Sequence, residues 1–113
     1  MATRRAKPSE IIDASPLGSA LAKARTRTLV KTDSLEVIRL VVPAGRQVRT
    51  HKVAGEITVQ CLEGRVAFTA DATTRDLAAG QLLYLSGNQP HSLRGIDDAS
   101  LLLTILLKKR AGK

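Results

Sequence analysis

The chain has 113 residues, a formal net charge of +8 at pH 7, 43% apolar residues and 25% charged residues. This length predicts a single domain with one modest core, and the composition is typical of neither disordered nor membrane-spanning chains. Aromatic residues make up only 2% of the chain, which disfavours recognition of nucleic acid by base stacking.

The basic excess lies at the two ends of the chain. Residues 1–31 contain seven basic and two acidic residues, and residues 108–113 contain four basic residues and no acidic one. Basic ends of this kind are usually solvated, so we expect neither a nucleic-acid partner nor a membrane partner. Residues 1–25 lack the apolar stretch of a signal peptide, and the single cysteine rules out an intrachain disulfide. We therefore expect a cytoplasmic protein.

The pattern changes at residue 26. We interpret residues 1–26 as an N-terminal extension. Within it, a short helix is predicted over 16–24, with Ser15 as its N-cap and Pro16 at its first position. We interpret residues 27–107 as an all-β domain, because short β-branched runs alternate with turn residues. Residues 108–113 form a basic tail in sequence. The predicted strands lie near 27–32, 35–42, 48–51, 57–62, 66–70, 74–77, 82–86, 91–94 and 100–107.

Two features of these strands lead to further predictions. Glu63-Gly64 lies between two apolar runs and predicts a tight hairpin, with Gly64 at positive φ. The last strand is apolar on both faces, with Leu102 and Leu106 opposite its main apolar row, so both faces are expected to be covered. Either a second subunit covers the outer face or the N-terminal segment folds back over it. We expect a homodimer through this C-terminal strand. The apolar residues that the N-terminal segment offers are Ile11, Ile12, Leu17 and Leu21.

Both histidines follow loops, and glycines recur at fixed distances around them. Gly45 is followed after five residues by His51, then by Glu56 and Gly64. In the second stretch, Gly80 precedes Pro90-His91, and Gly95 follows. These spacings resemble the two motifs of small single-domain cupins, the RmlC-like jelly-roll superfamily. The resemblance implies a double-stranded β-helix, or jelly-roll barrel, built from two Greek keys.

The resemblance also implies a possible metal site. Metal-binding cupins commonly supply two histidines and a glutamate from the first motif and one histidine from the second. Here Val53 stands at the second histidine position, and Glu56 lies one residue early, which points its side chain to the other face unless Ala54-Gly55 bends the strand. The implied ligands of a divalent Fe, Mn, Ni, Cu or Zn ion are His51, His91 and Glu56, with Gln60 as the alternative third donor. The competing hypothesis is a metal-free cavity with two neutral, hydrogen-bonded histidines.

Two functions follow from the resemblance. The first is a dimeric binding or sensor-type module that holds a small molecule in the barrel cavity. The second is a metal-dependent enzyme, dioxygenase-like or isomerase-like, that acts on a small organic substrate. The fold alone does not decide between them. The residues expected to line the cavity are His51, Val53, Ile57, Val59, Cys61, Phe68 and His91.

Overall fold

The computed structural model describes residues 5–49 and 52–107. A 3₁₀ helix, Gly18–Lys23, precedes nine strands, and each strand ends within two residues of its predicted bounds. The strands are β1 (Arg27–Lys31), β2 (Leu35–Val42), β3 (Gln47–Arg49), β4 (Ile57–Glu63), β5 (Arg65–Ala70), β6 (Thr73–Ala78), β7 (Leu82–Leu85), β8 (His91–Gly95) and β9 (Ala99–Leu106).

The strands form two antiparallel sheets. The five-stranded sheet has the order β1-β2-β9-β4-β7, and the four-stranded sheet has the order β3-β8-β5-β6. Because neighbours in sequence such as β4 and β5 lie in different sheets, the chain crosses repeatedly from one sheet to the other, as in a jelly roll. The predicted all-β jelly-roll architecture is confirmed.

The core lies between the two sheets, and strand alternation selects its residues. In β4, Ile57 and Val59 point inward, whereas Thr58 and Gln60 point to the outer face. The facing sheet contributes a second apolar layer on the same period of two. The buried apolar cluster consists of Val42, Ile57, Val59, Cys61, Val66, Phe68, Leu77, Leu85, Leu93, Ala99, Leu101 and Ile105.

The predicted hairpin at Glu63-Gly64 is wrong, because the strands on either side of it do not pair. The predicted positive φ at Gly64 is correct. Gly64 has a φ of 77°, as expected. However, β4 pairs with β7 and β9, and β5 pairs with β6 and β8, so the turn is a corner between sheets. A Cβ at Gly64 would lie 2.0 Å from the carbonyl oxygen of Asp98. Glycine is therefore required by close packing at this corner as well as by φ.

The predicted helix is shorter than expected and is capped differently. Leu17 precedes its first residue and provides no side-chain cap, whereas Ser15 Oγ donates to Asp13 instead. The backbone N–H groups of Leu17 and Gly18 donate to the Glu63 carboxylate at 3.0–3.1 Å, so a side chain from β4 takes the capping role. No helix among the described residues has the length and apolarity needed to cross a bilayer.

The N-terminal segment covers one end of the outer face of the five-stranded sheet. Arg39 of β2 is only 4% exposed there, and its Nη2 donates to the carbonyl oxygens of Asp13 and Ser15 at 3.1 Å. Its Nη1 donates to Ser100 Oγ at 3.4 Å. Ser100 Oγ in turn donates to Glu63 at 2.5 Å. The network ties the segment to three strands through backbone and side-chain hydrogen bonds.

None of residues 5–49 or 52–107 covers the other end of the same outer face. Leu106, Tyr84 and Leu82 are 48%, 60% and 62% exposed, and Ile11 of the N-terminal segment is 97% exposed rather than packed on them. The described part of the N-terminal segment therefore does not extend over the Leu106 end of β9. An apolar surface remains across β9 and β7.

Candidate functional site

His91 lies at the start of β8 on the inner side of the four-stranded sheet. Its register partner is Ala70, and its ring stacks on Phe68 with centroids 5.7 Å apart and planes inclined by 8°. Nδ1 lies 2.9 Å from the backbone oxygen of Gln89. Because a carbonyl oxygen only accepts, Nδ1 carries the proton, and Nε2 is the nitrogen with the lone pair in the neutral ring. This contact therefore favours the Nδ1–H tautomer of the neutral ring.

A cleft of about 350 Å³ opens beside this stack, between β6 and β7. We call it the barrel cleft. Its apolar wall includes Phe68, and its polar rim includes Arg75, whose register partner is Phe68. The cleft is lined by Phe68, Ala70, Asp71, Thr73, Arg75, Leu83, Tyr84, Leu85 and Gln89.

A hydrogen-bonded loop holds the rim of the barrel cleft in place. Gln89 Nε2 donates to Asp71 Oδ2 at 2.5 Å, and Gln89 Oε1 accepts from the backbone N–H of Ser86 at 3.0 Å. The loop before β8 is thus joined to the β5–β6 turn. The same loop supplies the carbonyl oxygen that orients His91, so the rim and the imidazole are positioned together.

The first candidate third metal donor, Glu56, lies beside Tyr84. Its carboxylate accepts a hydrogen bond from Tyr84 Oη at 2.5 Å, and this bond raises the pKa of Tyr84. Its backbone oxygen accepts from Leu106 N–H at 2.9 Å, which continues the alignment of β4 with β9. Glu56 therefore lies on the same outward face as Thr58, two residues further along the chain. The bend at Ala54–Gly55 does not turn its side chain toward His91.

The second candidate donor also faces outward. Gln60 is the register partner of Leu82 and Leu102, on the outer face of the five-stranded sheet. Within residues 5–49 and 52–107, no three His, Cys, Asp or Glu side chains lie close enough to hold a metal ion. His51 lies outside the described residues, so the predicted convergence of the two imidazoles remains a prediction.

The predicted cavity-lining residues divide into two groups. Ile57, Val59 and Cys61 are packed in the core, and burial raises the pKa of the Cys61 thiol. Val53 is half-buried against that core. Of the predicted lining residues that the structure describes, only Phe68 borders the barrel cleft, so the described part of the cavity lies at the His91 end of the sandwich.

Sequence reasoning missed Arg75, Asp71 and Gln89. The alternation of β6 carried a usable signal for Arg75, because Leu77 points inward and residues two apart share a face. Asp71 and Gln89 lie in loops, where no period predicts direction. Their contact joins positions 18 residues apart and arises only in the folded chain.

No protein-family model matches the chain, and no curated protein matches it. Solved structures do match. A conserved protein of unknown function from Streptococcus pyogenes has a TM-score of 0.74 at 21% identity, with 95% of each chain covered. A cupin superfamily protein from Desulfitobacterium hafniense has a TM-score of 0.75 at 20% identity, covering 91% of this chain and 100% of the other.

A third similar structure is that of an enzyme. A variant of salicylate 1,2-dioxygenase from Pseudoaminobacter salicylatoxidans matches with a TM-score of 0.66 at 20% identity, covering 71% of this chain and 25% of the other. At these identities the likeness concerns the fold. The two sheets, their crossovers and the match to cupin structures lead to one conclusion: the chain has the RmlC-like cupin fold, a small double-stranded β-helix domain.

Proposed function

We propose that this protein binds a small organic carboxylate in the barrel cleft and acts as a dimeric binding or sensor-type module. The observation that carries the proposal is the pairing of Arg75 with Phe68 across β5 and β6. This pairing places a cation and an aromatic ring in the wall of one cleft.

The size and lining of the barrel cleft support a small ligand. Small-molecule sites span roughly 300–1,000 Å³ and combine an apolar wall with a few placed polar groups. At about 350 Å³ the cleft is at the lower end of this range. Its apolar wall, with Phe68, Leu83 and Leu85, suits a single ring or a short carbon chain.

The charge of the rim supports a carboxylate on that ligand. Arg75 makes no ion pair with a carboxylate of residues 5–49 or 52–107, whereas the nearby Asp71 accepts a hydrogen bond from Gln89. A guanidinium matches a carboxylate through two parallel N–H···O bonds. The polar rim is thus suited to an anionic group and the wall to its carbon body.

One observation favours the second function, a metal-dependent enzyme. Metal-ligating histidines commonly donate the other ring N–H to a backbone carbonyl, and His91 Nδ1 makes this contact with Gln89. His91 Nε2 would then be one ligand, and His51 a second. The described residues offer no third, because Glu56 and Gln60 face outward, so they do not by themselves fit a resident metal ion.

The exposed end of the five-stranded sheet supports the dimer. Leu106 of β9 lies on the same face as Tyr84 and Leu82 of β7, on the other side of β4, and a second copy of this surface would cover all three. Two identical surfaces related by a twofold axis satisfy each other, and such dimers are the commonest oligomers. The proposed interface includes the C-terminal strand β9.

The binding proposal is tested by calorimetric titration with salicylate and hexanoate, an aromatic and an aliphatic carboxylate. We expect at least one of the two to bind, and Arg75→Gln to weaken binding about tenfold, because one charge-assisted contact is lost. Arg94→Gln is the matched control, since Arg94 is an exposed cation on the outer face of β8. Absence of binding by both probes, or equal weakening in the control variant, would contradict the proposal.

Elemental analysis of protein purified without a metal-affinity tag separates the two functions. We expect less than stoichiometric Fe, Mn, Ni, Cu or Zn, because the candidate oxygen donors face away from His91. Near-stoichiometric metal that is lost in both His51→Ala and His91→Ala would favour the enzyme. Circular dichroism of the two variants verifies that the domain remains folded.

A further inference from the structure

A second cleft lies outside the barrel, between the 3₁₀ helix and the edge strand β1. It has a volume of about 610 Å³, and four of the side chains that line it are cations. We call it the N-terminal cleft. Its cations are Lys23, Arg25, Arg27 and Arg39, and no acidic side chain of the described part of the chain lines it.

Three of these four cations have no compensating charge among the residues that the structure describes. Lys23, Arg25 and Arg27 are exposed, and none forms an ion pair with a carboxylate of the described chain. Arg39 differs, because its charge acts on Glu63 and contributes to the low pKa of that carboxyl. The cleft thus carries a local positive excess that the fold itself does not neutralise.

The register of β1 and β2 places two of these cations opposite each other, which lowers the stability of the sheet. Arg27 of β1 and Arg39 of β2 are direct cross-strand partners on one face. Like charges at directly opposed positions destabilise a sheet. An anion bound beside the exposed Arg27 would offset that repulsion, so the arrangement is complementary to negative charge.

One of the cations is held in a fixed position. Hydrogen bonds from Arg39 to the carbonyl oxygens of Asp13 and Ser15 and to Ser100 Oγ anchor its guanidinium at the base of the cleft. The Arg39 charge therefore has a fixed position beneath the exposed Arg25 and Arg27, which are the cations accessible to an anion. The wall also contains apolar Leu17 and Ala24, which offer a surface for carbon atoms.

We propose that the N-terminal cleft binds a small phosphorylated organic molecule, with the phosphate on the arginines and the carbon body against Leu17 and Ala24. Arginine forks match phosphate oxygens in pairs, and the volume of the cleft is within the range of small-molecule sites. This site is independent of the barrel cleft and of the function proposed for it.

The test is calorimetric titration of the full chain with phenyl phosphate and, separately, with inorganic phosphate at low ionic strength. We expect phenyl phosphate to bind more tightly than inorganic phosphate, because only the ester reaches the apolar wall. Raising NaCl from about 20 to about 200 mM should weaken binding, since screening acts on exposed charges.

Variants locate the site. Arg25→Gln and Arg27→Gln should each weaken phenyl phosphate binding about tenfold. A thermal midpoint no lower than that of the wild-type chain in the absence of ligand shows that the fold is intact. Arg94→Gln makes the same change in net charge on the other sheet and should alter the affinity by less than about twofold. Absence of phenyl phosphate binding would overturn the proposal, as would equal weakening by Arg94→Gln. Equal affinity for inorganic phosphate would overturn the assignment of an organic body.

Discussion

The carboxylate of Glu63, at the end of β4, accepts a hydrogen bond from the backbone N–H of Leu17, 46 positions earlier in the chain, at 3.0 Å. Gly18 N–H and Ser100 Oγ donate to the same carboxylate. Burial alone would raise the pKa of Glu63, but these hydrogen bonds and the charge of Arg39 together hold it below the usual value. One side chain therefore joins the N-terminal segment to the outer face of the sheet.

Glu63→Gln should lower the free energy of unfolding by about 1–2 kcal/mol at pH 7, because hydrogen bonds to a charged acceptor are replaced by weaker ones. The ionised carboxylate is bound more favourably in the folded state. Its contribution is therefore complete at neutral pH and is lost as the pH falls below about 4.5 toward the lower pKa of the folded state. Urea denaturation of both proteins at pH 7 and at lower pH should show the difference between them shrinking.

Glu36→Gln serves as the control for that series. Glu36 pairs with Lys31 at 3.4 Å on the surface, where an ion pair contributes little. The control should change the free energy of unfolding by less than about 1 kcal/mol. If Glu63→Gln behaved like the control at every pH, the structural role assigned to the carboxylate would be incorrect.

Gly64→Ala and Gly80→Ala should differ in stability although both glycines have positive φ, 77° and 88°. At Gly80 a Cβ meets nothing within 4 Å, so alanine costs only the backbone penalty of about 1–2 kcal/mol. At Gly64 a Cβ would overlap the Asp98 carbonyl oxygen, and the corner between the sheets must shift. We expect the larger loss at Gly64 in thermal or chemical denaturation, and equal losses would argue against close packing at this corner.

Leu106→Asp tests the proposed dimer. A charged side chain at the centre of an apolar contact is costly, so size-exclusion chromatography with light scattering should give a dimer for the wild-type chain and a monomer for the variant. Ile11→Asp makes the same chemical change at a residue that is 97% exposed and should leave the dimer intact. A wild-type monomer, or a dimer that persists in Leu106→Asp, would exclude this face as the interface.

Local pattern was sufficient to predict the strands. The period-two alternation of Ile57, Val59 and Cys61 is enough to identify both the strand and its buried face, and the same alternation puts Gln60 on the face of Thr58. Spacing of glycines around the two histidines led to the correct fold. These signals are short-range in sequence, because each depends on the residues of one strand or of one continuous stretch around a histidine.

The direction of Glu56 required the tertiary structure. Alternation alone pointed it outward, but a bend at Ala54–Gly55 offered the opposite outcome. The hydrogen bond from Leu106 N–H to the Glu56 carbonyl keeps the segment aligned with β9, and the side chain lies beside Tyr84. The residues next to Glu56 in sequence predict neither its contact with Leu106 nor its contact with Tyr84.

The sequence by itself determined the strand positions, the inward faces of β4 and β5 and the positive φ at Gly64, because backbone preference and burial act within a few residues. Three features were decided only by the tertiary structure. Glu63 caps a helix far from it in sequence, β4 and β5 belong to different sheets, and Arg27 lies opposite Arg39 in the strand register. These are pairings between distant segments, and their energies exist only once the chain has brought the segments together.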